Sequence, residues 1–186
     1  MKDKFQTNFD ITRLYDANVA FPQVTKVGIV PFVALPALKI LAMKPRASAK
    51  HLGDPAFQIA KGTRRIFINE AWCDMRDDDL RYADPSFYES LTDTALREGY
   101  EEVGLKSGNI VRMFDLGGFT FTSASKGIVK PIHIFAAQIK QTNDFSAFEA
   151  TTSETRWMTP EEFARDGRDD HANIMQEVVK RLLSAL

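Results

Sequence analysis

The chain has a single cysteine, Cys73, among its 186 residues. No disulfide can close within it, and a zinc site of four thiolates is excluded. Histidine is also scarce, with three in all. No histidine-rich region accompanies Cys73, so it is read as an inert packed or surface residue rather than a nucleophile. A dominant charge is missing too. Lys and Arg number 24 against 25 Asp and Glu, a formal net charge of −1. That balance argues against a nucleic acid polymer held on a broad basic face, while leaving room for a small nucleotide at a local site. Long hydrophobic runs are lacking. The most apolar stretch, Val27–Met43, is interrupted by Pro31, Pro36 and Lys39, which suits two strands and a turn better than a membrane span. No apolar segment of leader length follows Met1–Gln6, so no membrane partner is expected and the cytosol is the expected compartment. Repeats and low-complexity tracts are absent, and the length suits one compact domain with its own core.

What is present reads as strands and helices in alternation. Val27–Val33 and Leu38–Met43 are β-branched-rich runs around a turn at Ala34–Ala37, with Pro31 placed at an edge or bulge. Phe57–Ala60 is a short apolar run leading into Lys61-Gly62. From about Thr63 to Pro85 the chain reads as irregular. Asp74, Asp77, Asp78, Asp79 and Asp84, interleaved with Arg76 and Arg81, read as a solvated loop in preference to a metal site. Ser90-Leu91-Thr92-Asp93 has the capping-box pattern with Asp in place of Glu, and Gly104 stands where a helix-ending residue belongs, predicting a helix over Leu91–Val103. Phe114–Thr122 and Ile128–Ile139 read as strands joined by a turn at Lys126-Gly127. Thr159-Pro160-Glu161-Glu162 is a second capping box with Pro at the first helical position. Met175, Val178, Val179, Leu182, Leu183 and Leu186 recur at helical spacing and predict a C-terminal helix with one face on the core. The order implies a mixed α/β domain with helices covering a sheet.

One segment is not written like an ordinary surface helix. In Arg97-Glu98-Gly99-Tyr100-Glu101-Glu102-Val103-Gly104-Leu105, Glu98, Glu101 and Glu102 fall at i, i+3 and i+4, all on one helix face. Like charges at that spacing repel, and these sit near the negative end of the helix dipole. A divalent cation reverses the sign of that argument, because Mg²⁺ takes oxygen ligands. A solvated acidic face is the plain alternative.

The surrounding letters resemble the Nudix box, G-x5-E-x7-R-E-U-x-E-E-x-G-U, where U is a bulky aliphatic residue. Glu89, Arg97, Glu98, Glu101, Glu102, Gly104 and Leu105 match it in register. Gly99 stands where the aliphatic residue is expected, its space left to Tyr100 or a strand neighbour. Ala83 stands where the opening glycine is expected. Lys61-Gly62 is similar to the turn that normally opens the box. Gly62 and Glu89 are 27 positions apart against six in the pattern, so the resemblance implies an insertion of about 21 residues, near 63–84, bordering the substrate site or a dimer contact. It extends from about Val27 to Leu186, including Trp157 and the capped helix after it. Residues 1–26 then form an N-terminal extension to a single domain, 27–186.

The resemblance implies an α/β/α sandwich, a mixed sheet flanked by helices. It implies hydrolysis of a diphosphate linkage in a small-molecule nucleoside diphosphate derivative, with Mg²⁺, or Mn²⁺ in its place, as cofactor. Glu98, Glu101 and Glu102 would be metal ligands, Arg97 would orient them, and Glu89 would anchor the loop and helix or reach the metals through water. The general base is left among Glu102, Glu149 and Glu154. Lys61, Gly62 and Arg64, in a small basic group with Arg65, are assigned to substrate phosphates, with a solvated loop as the other reading. Phe119, Phe121 and Trp157 are read as core in preference to base-stacking residues, and His133 as a satisfied core histidine. Two other functions stay open: a catalytically weak nucleotide-binding module of the same fold, and an interaction domain with a merely acidic face. A homodimer is the default assembly.

Overall fold

A computed structural model describes residues 24–46, 55–76, 79, 83–123, 128–140, 145 and 152–186. The element order is β1 (Lys26–Val33), β2 (Lys39–Pro45), β3 (Ala60–Thr63), β4 (Arg65–Ile68), β5 (Ala71–Asp74), α1 (Leu91–Val103), β6 (Ile110–Ser123), β7 (Ile128–Ile139), β8 (Thr152–Met158), α2 (Pro160–Asp166) and α3 (Asp169–Ala185). Strand β1 is central because both of its faces are apolar: Val27 and Ile29 point one way, Val30 and Phe32 the other, all fully buried. The main sheet runs β6-β7-β1-β2-β8, with β1 and β7 parallel and the other neighbours antiparallel.

The second edge of β1 is shared. Lys26–Ile29 pair with β3, whereas Phe32 and Val33 pair with β2. Pro31, which has no N–H to give a ladder, falls between the two partners. This is how a proline is accommodated in a central strand, where the sequence had suggested an edge or bulge.

Two cores result. Val27, Ile29, Leu41, Met43 and Phe135 pack with Leu91, Ala95, Leu96 and Val103 of α1 on one face. Val30, Phe32, Ile40, Ile132 and Ile134 pack with Phe163 of α2 and Met175, Val178 and Leu182 of α3 on the other. The chain is thus an α/β/α sandwich, a mixed sheet flanked by helices. The C-terminal stripe is narrower than its spacing suggests, since Ile174 joins the core while Leu183 and Leu186 stay exposed.

Helix α1 spans Leu91–Val103, as its end signals predict. Ser90 Oγ accepts from Asp93 N at 2.9 Å, and Gly104 closes the helix in the left-handed conformation, φ 71°. The Thr159 capping box is complete. The stretch after Thr63 is not simply irregular: β4 and β5 form a separate antiparallel hairpin. Its turn is Asn69-Glu70, both at positive φ (51° and 62°), the arrangement that fits the twist of a tight hairpin. Asp77, Asp78, Arg81, Lys126-Gly127 and Glu149 lie outside the described residues. Among those described, no helix is long and apolar enough to cross a membrane.

Candidate active site

The acidic face of α1 is organised by Arg97, which is 5% exposed. Its Nε and Nη2 donate to the two oxygens of Glu89 at 2.9 and 3.0 Å, Nη1 donates to Glu98 and Glu101, and Nη2 also donates to the Thr63 carbonyl at 2.8 Å. All five N–H groups of the guanidinium are thereby used. Burial works against its charge, but the hydrogen bonds and attraction from Glu89 and Glu98 outweigh it and hold the Arg97 pKa above its ordinary value. One cation therefore ties strand β3, the segment before the helix, and two helix carboxylates into one unit. Such bidentate, charge-assisted contacts are the strong ones.

Glu89 has further partners. Its Oε2 accepts from Arg65 N and Thr94 Oγ1, and its carbonyl accepts from Arg64 Nε and Nη2 at 3.0 and 2.9 Å. Arg64 is 2% exposed, also donates to the Val24 carbonyl, and lies over the Tyr88 ring. Arg64 is therefore buried rather than on a solvated loop, and three of its N–H contacts go to backbone carbonyls. Thr94 is an addition that charge pattern alone did not mark.

Strand β3 lies beneath the carboxylates. Lys61 N donates to Glu102 Oε2 at 2.7 Å. Gly62 is a strand residue, not a turn, and a Cβ built there would fall 1.9–2.1 Å from the Glu98 carboxylate. Only glycine lets Glu98 lie this close. The Lys61 side chain is partly buried near Glu102, Lys26, Arg168 and Asp170, and its loss of solvent, the largest influence, lowers its pKa.

The missing aliphatic side chain at Gly99 is explained by packing. A Cβ there would meet Ile29 Cγ2 at 3.0 Å and Leu105 Cδ2 at 3.1 Å. The strand neighbour Ile29, helped by Leu105, fills the space. Ala83 is in the loop before α1, where its carbonyl accepts from Tyr88 Oη.

Other sequence candidates lie elsewhere. Glu154 Oε1 accepts twice from Arg156, whose guanidinium covers the Phe57 ring of the α3-side core. A register shift at Lys44/Pro45 separates it from Thr152, which donates to the Glu102 carbonyl. The structure therefore does not bring the Glu154 carboxylate to those of α1. Trp157 packs against Phe145 and Phe119 belongs to the α3-side core, as core readings require. Phe121 lies in β6. His133 is buried and its Nε2 lies 2.6 Å from Asp115 Oδ1, but its Nδ1 has no partner among the described residues, so it is only half satisfied. Cys73 is exposed on β5.

The donor set of Glu98, Glu101 and Glu102 is all oxygen, which fits a hard divalent cation. Glu98 and Glu101 share one guanidinium nitrogen, and Glu98 and Glu102 lie against consecutive residues of β3. Among the described residues no three acidic, thiol or imidazole groups are gathered closely enough to enclose an ion as they stand.

Comparison with known proteins agrees with this architecture. Residues 86–181, more than half the chain, match the model of the NUDIX domain. Solved structures of similar fold include the NUDIX domain of Shewanella oneidensis NrtR complexed with ADP ribose, at 18% identity and TM-score 0.58, covering 92% of this chain and 96% of that one. A Caenorhabditis elegans Ap4A hydrolase has 14% identity and TM-score 0.58, covering 86% and 98%. A NUDIX hydrolase from Nitrosomonas europaea has 15% identity and TM-score 0.55, covering 87% and 90%. A search of curated proteins finds no match.

Proposed function

Because the chain belongs to the NUDIX domain family, we propose that it hydrolyses a diphosphate linkage in a small nucleoside diphosphate derivative. Water adds to one phosphorus, the bridging P–O bond breaks, and a nucleoside monophosphate and a phosphorylated remainder leave. The observation that carries this reading is the bracing of Glu98 and Glu102 against Gly62 and Lys61 N of one strand, with Glu101 sharing the Arg97 clamp. An acidic face serving only solubility needs none of these constraints.

Glu98, Glu101 and Glu102 would hold Mg²⁺ or Mn²⁺, which when bound neutralises diphosphate oxygens and acidifies a water. The chain's own residues do the positioning. Arg97 keeps the carboxylates from being held apart by mutual repulsion, and Glu89 fixes the approach of the chain to α1. Gly62 allows Glu98 to lie against β3. Lys61 N orients the Glu102 carboxylate, the group we assign to accept the proton of the attacking water. The ammonium of Lys61 and the guanidinium of Arg65 are the basic candidates for phosphate oxygens. We take residues 27–186 as one domain with an insertion near 63–84, preceded by an extension, and the cytosol as its compartment. ADP ribose and Ap4A, named for the similar structures, head the substrate panel.

The test is phosphate release from nucleoside diphosphate derivatives in a phosphatase-coupled assay, with Mg²⁺, Mn²⁺ or EDTA, beside Glu102→Gln. Metal-dependent turnover that falls by about two orders of magnitude or more in the variant supports the hydrolase. Silence across the panel, with nucleotide binding retained, replaces it with the binding module.

A further inference from the structure

The inserted hairpin carries a feature that its own stability does not require. Ile66 is 1% exposed and points inward, so by strand alternation Arg65 and Phe67 point to the opposite face. The register places Asp74 and Trp72 on that same face. Phe67 and Trp72 are paired, centroids 5.4 Å apart and tilted by 58°, yet remain 39% and 54% exposed. Cross-strand pairing accounts for their mutual contact. It does not account for leaving an indole open to water beside the catalytic helix.

The face is anchored at that helix. Arg65 Nη2 lies 3.8 Å from Glu101 Oε1, and Arg65 N is hydrogen-bonded to Glu89. Phe67 is two residues further along the same face, about 7 Å away. A nucleotide spans a comparable interval between its anionic phosphates and its flat base. Two half-exposed rings are also too little for a second copy of the chain, since a stable dimer buries about 800 Å² per partner.

We infer that the Phe67–Trp72 pair is the platform on which the base of the nucleoside diphosphate derivative stacks, with the phosphates toward Arg65 and Glu101. This rests on the hydrolase reading, whose substrate class it deepens. Any base offers a π face, so the platform selects for a nucleoside without reading which one.

The experiment has two arms. The chain has two tryptophans, so full-length protein carrying Trp157→Phe reports Trp72 alone. Titration with AMP in EDTA should quench its emission saturably, and ribose 5-phosphate, which has no base, should not. In the second arm, Trp72→Leu should raise KM for the substrate found in the panel about tenfold with kcat nearly unchanged, and Trp72→Phe should restore it. Melting curves check that the variants fold. Turnover with unchanged KM in Trp72→Leu, and no quenching by AMP, overturns the platform and leaves the hydrolase standing. Quenching by AMP in a chain that turns over nothing keeps the platform and removes the hydrolase. Loss of a dimer in Trp72→Leu with KM unchanged assigns the pair to a second copy and likewise overturns the inference.

Discussion

At the scale of single residues, the site depends on two positions that perform no chemistry. Arg97 spends every donor it has on Glu89, Glu98, Glu101 and the Thr63 carbonyl. Lysine keeps the charge but has neither the fork nor the fifth donor. Arg97→Lys should therefore cost about 3 kcal/mol in urea unfolding, as expected when a buried, paired charge loses its geometry. A loss no larger than that of a surface substitution would show that the clamp is dispensable. Gly62 is the second. Gly62→Ala places a methyl in the space of the Glu98 carboxylate, so Glu98 must swing away. Activity should fall about a hundredfold, the scale of an ångström's misplacement, with a smaller change in melting temperature. Unaltered turnover and Mn²⁺ affinity would mean that the position of Glu98 over β3 is immaterial. Arg64 shows the limit of reading single letters. Three basic residues near a glycine suggest phosphate contacts, but charge in a sequence does not reveal that backbone carbonyls from Val24 and Glu89 converge on one of them.

At the scale of elements, legibility followed how local the signal was. The bounds of α1 were readable because Ser90 and Gly104 act within their own turns. The acidic face was readable because helix geometry fixes i, i+3 and i+4. The β4–β5 hairpin was hidden because its turn places Glu70 at positive φ, where Gly is the usual marker. The narrowing of the α3 stripe was hidden too, since it depends on how far the sheet extends beneath Leu183 and Leu186. Helix α3 also carries a pH response. His171 Nδ1 accepts from Ile59 N at 3.1 Å. Burial first, then Lys61 and Arg168, push its pKa down to about 2 from the ordinary 6.5. The unfolded chain thus binds a proton that the folded chain refuses. The contribution is fully present above pH 6.5 and is lost progressively as pH falls toward about 2. Urea midpoints should decline as pH drops below 6.5, and His171→Gln should flatten that decline; an equal slope in both would place the acid sensitivity elsewhere. Replacing 66–83 with a short polar link, while keeping Arg64 and Arg65, should change substrate preference and leave Glu89 anchored. The same substrate ranking would separate the insertion from specificity.

At the scale of the whole molecule, ligand and fold are linked through α1, because its acidic face and its apolar face belong to one rigid helix. Adding Mg²⁺ or Mn²⁺ should raise the melting temperature, by an amount set by the ratio of free ion to Kd, about 2.7 kcal/mol at a hundredfold excess. Glu98→Gln should abolish the rise, and a rise of equal size in that variant would move the ion away from this face. The divided edge of β1 has a further consequence. Pro31 stands where the ladder passes from β3 to β2, so that edge is nicked rather than continuous. In native-state hydrogen exchange, β3 and α1 should open and reprotect together, on a schedule separate from β2 and β8. The molecule would then hold its catalytic strand and helix as a cassette, able to loosen for substrate entry and product exit while the rest of the sheet stays zipped.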